Sequence, residues 1–183
     1  MPIKVKYGDY MNWPAAIERY AINKSLQVKS KNQVNVIKKT TDDINYVLSR
    51  MPELASKNIS DITPEMFHEM LNNHRKANNW HWDAIIDGNK GVYSGKYSDL
   101  VRCLVFARDN FTCKICGRSA LEDPKLGLHL DHKVPKSQRG DTFSLDNLQC
   151  TCESCNLLKQ TKSDVDAKNE INDMAESIRK KEE

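Results

Sequence analysis

Two Cys-x-x-Cys pairs, Cys113/Cys116 and Cys152/Cys155, constrain this chain more than any other feature. Each pair sets two sulfurs on one turn at an angle that fits half a tetrahedron, and two such knuckles close a four-sulfur site for Zn²⁺. The 35 residues between the pairs exceed a compact finger, so a further unit is inserted between the halves. A redox reading of Cys113/Cys116 expects a single pair beside a βαβ unit, and no such pattern is present. Cys150 lies two residues from Cys152 and competes as a ligand, but Cys152-Glu-Ser-Cys155 has the knuckle spacing. Cys103 falls in an apolar helical stretch and reads as core. Four thiolates leave no open coordination position, so this zinc is expected to be structural and any chemistry must lie elsewhere.

The 183 residues suit one domain of ordinary size, or a small one with a satellite. No apolar run reaches the roughly 18 to 20 residues of a membrane span. The start, MPIKVKYGDYMNW, lacks the apolar core of a signal peptide. A cytoplasmic protein with no membrane partner is the expectation, and reduced cysteines agree with it. The formal net charge is only +3, but residues 1–39 hold eight Lys/Arg against Asp9 and Glu18, a net of +6 there. Such a surface suits a polyanion; a merely solvated helical face has the same composition.

The first ninety or so residues read as helical. Asn12-Trp-Pro14 opens a stretch with Ile17, Tyr20 and Ala21 at helical spacing. Val34, Ile37, Thr41, Ile44, Leu48 and Met51 recur every three or four residues, which predicts one buried stripe ending before Pro52. Thr63-Pro64-Glu65 supplies a capping hydroxyl followed by proline at the first helical position, ahead of the stripe Phe67, Met70, Leu71, His74. Residues 87–98 collect three glycines and two serines and read as a linker. Ser98 is then expected to cap a short helix, Asp99 to Ala107, ending at the turn Arg108-Asp-Asn-Phe111. Ile171, Met174, Ala175 and Ile178 predict a packed C-terminal helix over roughly 164–182. The expected division is a helical, partly basic region at 1–95 and a second unit at 96–183.

Inside the insert stands Leu128-His-Leu-Asp-His-Lys-Val-Pro135, a short strand that breaks its own alternation. It is followed by Leu145-Asp-Asn-Leu-Gln149 and then by Cys152-Glu-Ser-Cys-Asn-Leu-Leu-Lys159. Together with Arg102, Val105, Arg108-Asp109 and Phe111-Thr-Cys-Lys-Ile-Cys-Gly117, this ordered series resembles the zinc-braced branch of the HNH endonuclease family. The resemblance covers roughly residues 99–162. It implies an α+β, mostly helical chain: a ββα-metal nuclease core braced by a four-cysteine zinc site, a helical N-terminal region and a C-terminal helix.

Phosphodiester hydrolysis needs a nucleophilic water and a cation to offset charge on the phosphate and the leaving oxygen. Imidazole titrates near neutral pH, so His132 suits the base, the role the family gives this position. Asp131 is a hard oxygen ligand for a divalent ion. Asp131 and His132 cannot face the same way on a regular strand, so the strand is expected to end or twist there. The resemblance makes Asn156 the last metal ligand, and Asn147 the brace of the loop between the strands. An amide oxygen is harder than imidazole, which favours Mg²⁺ or Mn²⁺ at this second site.

Arg139, Lys159 and Lys136 are the expected phosphate contacts, although isolated surface bases would look the same. His129 shares the face of Asp131 and reads as a partly buried scaffold residue, with contact to metal or phosphate as the sharper alternative. Trp80 and Trp82, beside Arg75 and Lys76, fit core or linker packing better than single-strand stacking. His68 and His74 read as structural.

The expected activity is metal-dependent endonucleolytic cleavage of double-stranded DNA, of restriction type. The alternatives are a homing or packaging nuclease of a phage or mobile element, or a zinc-braced DNA-binding module without catalysis. A protein-binding adaptor using the helical N-terminus is a further reading. Cutting a short palindrome would call for a homodimer, because each HNH centre attacks one strand.

Overall fold

Three of the helices in this chain begin where the sequence supplies an oxygen cap. In the computed structural model, which describes residues 12–28, 32–77, 95–138, 144–160, 162 and 165–173, the Asn12 side chain accepts from the Ala15 N–H at 3.0 Å and opens α1, Trp13–Gln27. The Asn32 side chain accepts from Asn35 N–H at 3.1 Å and opens α2, Gln33–Ser49. Pro52 then starts a one-turn α3, Pro52–Ala55, so the proline that ends one pattern begins the next element. Thr63 Oγ1 accepts from Met66 N–H at 3.3 Å at the head of α4, Pro64–Ala77.

The buried residues of α2 are Thr40, Ile44, Val47 and Leu48, with Met51 just beyond the helix. The stripe expected from Val34 therefore holds only in its second half. Val34 is 72% exposed, and Ile37 and Thr41 line a surface groove against Trp13 and Ile17 of α1. Helix α5, Gly95–Arg108, starts four residues before Asp99. Ser98 does not cap it; its hydroxyl accepts from Arg102 Nη1 at 2.6 Å inside the helix. The rest of the expected linker, and Trp80 and Trp82, lie outside the described residues, and the expected 95/96 boundary falls at the edge of that stretch. Of the C-terminal helix, residues 165–173 are helical, with Ala167 buried and Ile171 packed on the core.

Helices α1, α2 and α5 pack on one another, and α5 also covers the sheet. The sheet has two antiparallel strands, β1 (Leu128–His132) and β2 (Leu148–Cys152), followed directly by α6, Glu153–Lys159. One hydrophobic cluster runs from Trp13 of α1 through Phe106 of α5 to Leu148 and Cys155. At its centre Tyr20, Phe106 and Phe111 meet edge to face, with centroids 5.7 and 6.3 Å apart, the arrangement aromatic quadrupoles favour. No helix among the described residues is long and apolar enough to cross a membrane.

Polar ties fix α1 across this core. Asp99 of α5 accepts from Tyr20 at 2.7 Å and pairs with Lys24 at 2.7 Å. Asn23 donates to the Leu126 carbonyl at 2.9 Å, just before β1. Lys38 and Lys39 face Asp42 and Asp43 one turn on. The basic surplus of the N-terminal region is thus partly neutralised within the fold.

Candidate functional site

The loop before β1 and the strand β2 bring the two cysteine pairs together. Cys113 N–H donates to the Arg118 carbonyl at 2.8 Å, and Gly117 N–H donates to the Cys113 carbonyl at 2.9 Å, which closes the first knuckle. Gly117 sits at φ +78°, the left-handed region that glycine enters without steric cost. Lys114 N–H donates to the Cys150 carbonyl at 2.9 Å, and this bond lays the first knuckle against β2.

The sulfurs of Cys113, Cys116, Cys152 and Cys155 lie within 4.8 Å of one another. Cys116 and Cys152 sulfurs are 3.8 Å apart. Tetrahedral zinc with bonds of about 2.3 Å requires sulfurs about 3.8 Å apart, so the donor set fits that ion. Cys150 and Cys103 are buried outside this group, and burial pushes both thiols up. Burial also raises the Cys113 and Cys155 thiols. At Cys116 burial acts in the same direction, but hydrogen bonds from the Arg118 backbone and guanidinium, then from Cys155 and Cys113, outweigh it and bring the thiol down to about 6. Arg118 Nη2 also lies 3.1 Å from Cys152 Sγ, a cation beside the sulfurs.

At the opposite end of the strand pair the chemistry changes. The register sets Leu128 opposite Cys152, Asp131 opposite Gln149, and His132 opposite Leu148. Pairing stays regular through His132, and the strand ends directly after it. Lys133 N–H donates to the Asn147 carbonyl at 2.8 Å. The Asn147 amide then holds Val134 from both sides: its Oδ1 accepts from Val134 N–H at 2.8 Å, and its Nδ2 donates to the Val134 carbonyl at 3.0 Å. The turn that leaves His132 is therefore tied to the start of β2.

Asp131 is half-buried, and two donors converge on its Oδ2. Gln149 Nε2 donates there from 2.9 Å, and Lys159 Nζ from 2.7 Å. Lys159 also donates to the His132 carbonyl. This corrects one expectation. Lys159 is 1% exposed and is held against Asp131, so it is not presented to a phosphate backbone. Asn156 lies three residues earlier on α6, hence on the helix face that Lys159 directs toward β1. The carboxylate of Asp131 and the amide of Asn156 are hard oxygen donors, which fits Mg²⁺ or Mn²⁺ better than a soft ion.

His132 is half-buried, on the strand face that alternates with that of Asp131. His129 is exposed rather than partly buried. Arg139 and the Lys136 side chain lie outside the described residues.

Sequence reasoning gave Arg108 and Asp109 no role beyond their part in a motif. Arg108 donates to the carbonyls of Leu145 at 2.8 Å and Leu148 at 2.7 Å, and pairs with Asp109. Asp109 in turn accepts from the Cys150 N–H at 2.8 Å. The pair thus fixes the turn carrying Asn147 and the middle of β2. The signal in the sequence was their adjacency at the end of α5, where side chains can reach the strand packed beneath.

Residues 113–162 match the family HNH endonuclease. Over this segment the chain is similar to an HNH endonuclease domain. The match spans both cysteine pairs, both strands and α6. Comparison with curated proteins and with solved structures gave no match. HNH nucleases act on DNA with divalent metal, and this domain gives the chain a nuclease-type core with a four-cysteine group suited to zinc.

Proposed function

We propose that the chain is a metal-dependent endonuclease that hydrolyses phosphodiester bonds of double-stranded DNA, with restriction-type cleavage as its biological use. The observation that carries this reading is the end of β1 inside the HNH domain. There Asp131 is held toward the Asn156 face of α6, and the neighbouring His132 is fixed through its backbone.

In this reading Asp131 and Asn156 hold Mg²⁺ or Mn²⁺. When bound there, such an ion would supply positive charge against the phosphate and the leaving oxygen. His132 accepts the proton of the attacking water, a task its imidazole can perform near neutral pH. Asn147 orients rather than reacts: by clamping Val134 it sets the direction in which the chain leaves His132. Cys113, Cys116, Cys152 and Cys155 hold a structural zinc that fixes the far end of the same strands. Arg139 and Lys136, on the segment after β1, meet the DNA backbone. The N-terminal helices position the duplex, and two copies cut both strands of a symmetric site.

The test is plasmid cleavage with Mg²⁺, Mn²⁺ or EDTA, followed by end mapping. His132→Ala should lose at least about 10²-fold in rate, the usual weight of a general base, while zinc content and melting temperature stay as in the parent. Undiminished cleavage by that variant overturns the assignment.

A further inference from the structure

Arg118 stands where the two cysteine knuckles meet. It belongs to the first, since its carbonyl accepts from the Cys113 N–H at 2.8 Å. Its own N–H and its guanidinium both donate to the Cys116 sulfur. The guanidinium also crosses to the second knuckle, where Nη2 lies 3.1 Å from Cys152 Sγ and 3.4 Å from Ser154 Oγ. One side chain thus touches sulfurs 36 residues apart in sequence.

An exposed arginine that meets a surface carboxylate contributes little, because water competes for both partners. Arg118 is exposed, but the Cys152 it meets is fully buried, and Ser154 stands between the two cysteines of that knuckle. The acceptors are therefore fixed in place by the fold. A guanidinium offers five N–H donors in one rigid plane, so it can bridge two acceptors, whereas an ammonium acts as a point charge. Hydrogen bonds to an ionised acceptor, such as a thiolate, are stronger than neutral ones.

We propose that Arg118 is a positioning residue of the four-cysteine site, which ties one knuckle to the other through their sulfurs and so tightens the hold on zinc. The inference rests on the reading of Cys113, Cys116, Cys152 and Cys155 as zinc ligands. Arg118 supplies no ligand atom. It keeps two of the four sulfurs directed at a common centre, and ligands already held in place cost less to order when the ion binds. Groups that orient the ligands of a metal commonly change its affinity by about 10- to 100-fold.

The experiment sets the whole chain, with its thiols reduced, in competition for Zn²⁺ with a chelator of known affinity. Arg118→Met should bind zinc about 10- to 100-fold more weakly than the parent. Arg118→Lys keeps the cation but loses the planar fork, and should fall between the two. Lys114→Met removes a positive charge from the same loop and should keep the parent affinity. Each protein is also loaded with Co²⁺. An N–H donor lowers the energy of the sulfur lone pair it meets, so the sulfur-to-cobalt charge-transfer band should move to lower energy in Arg118→Met. A side chain that only packs there leaves that band unchanged.

Zinc affinity in Arg118→Met equal to that of the parent overturns the proposal. So does a weakened Arg118→Met protein whose cobalt band has not moved, or an equal loss of affinity in Lys114→Met. If Arg118→Met does not fold, Arg118→Lys decides alone, and parent-like affinity and spectrum there overturn the proposal. A parent protein that takes up neither Zn²⁺ nor Co²⁺ removes the zinc reading itself, and this inference with it.

Discussion

The two ends of the β1–β2 pair solve the same problem in opposite ways. At the Leu128/Cys152 end, four sulfurs converge within 4.8 Å, a cluster that as thiolates carries a large negative charge and calls for a metal ion to hold it. At the Asp131/Gln149 end, a single carboxylate is met by the chain's own ammonium and amide. The first end is suited to permanent closure around an ion. The second already has protein donors on its carboxylate without one. Five-residue strands separate the two ends.

That contrast can be broken most severely from the sulfur end. Cys155→Ser should abolish stoichiometric zinc binding, measured by metal analysis. It should also remove cooperative melting of the β2–α6 segment, because structural zinc in small domains contributes on the order of 10 kcal/mol. Zinc retained at full stoichiometry would mean that another group completes the set.

A milder intervention acts between the ends. Asp109→Ala deprives the Cys150 N–H of its acceptor and Arg108 of its partner. Urea unfolding should show a loss of about 1–3 kcal/mol with zinc still bound. A larger drop in cleavage than in stability would show that the Arg108–Asp109 pair also sets the turn before β2.

The smallest effect lies outside both ends. His74 Nε2 is 2.7 Å from the Tyr97 hydroxyl between α4 and α5, and burial lowers the imidazole pKa below its usual value. The unfolded chain then binds the proton more readily than the folded one. The stability from keeping His74 neutral is full above about pH 6.5 and is lost as pH falls below that value. Melting temperature should decline slightly from pH 7 to 5.5, and less steeply in His74→Gln.

The four-cysteine group was legible in the sequence because knuckle spacing is a local rule, and it also favoured Cys152 over Cys150. The starts of α1 and α4 were legible for the same reason, since a cap and a proline act within one turn. What failed to show was whatever depends on distant partners. Lys159 looks like any surface lysine until Asp131, 28 residues earlier, folds against it. Gly95 to Ser98 reads as a turn by composition. Tertiary contacts override that propensity, since Asp99 in the next position is fixed by Tyr20 and Lys24 of α1. Val34 fits the stripe of α2 by period alone, but its end of the helix stays uncovered among the described residues. In the site, Asp131, His132, Asn147 and Asn156 were picked from an ordered motif. Arg108, Asp109 and Gln149 stand in the same series, but the hydrogen bonds by which they hold the strands could not be read from it.

Gly127 carries a consequence for anyone who would transplant this nuclease unit. Its carbonyl accepts from the Glu153 N–H at 3.0 Å, and a Cβ there would come within 2.8 Å of Gln27 Oε1 at the end of α1. Gln27 itself donates to the neighbouring Lys125 carbonyl at 3.3 Å. The first helix of the chain is thus moulded to the approach of β1. A chimera that joins residues 96–162 to a foreign targeting protein inherits an open seam unless Asn23 and Gln27, or substitutes of matching shape, travel with it.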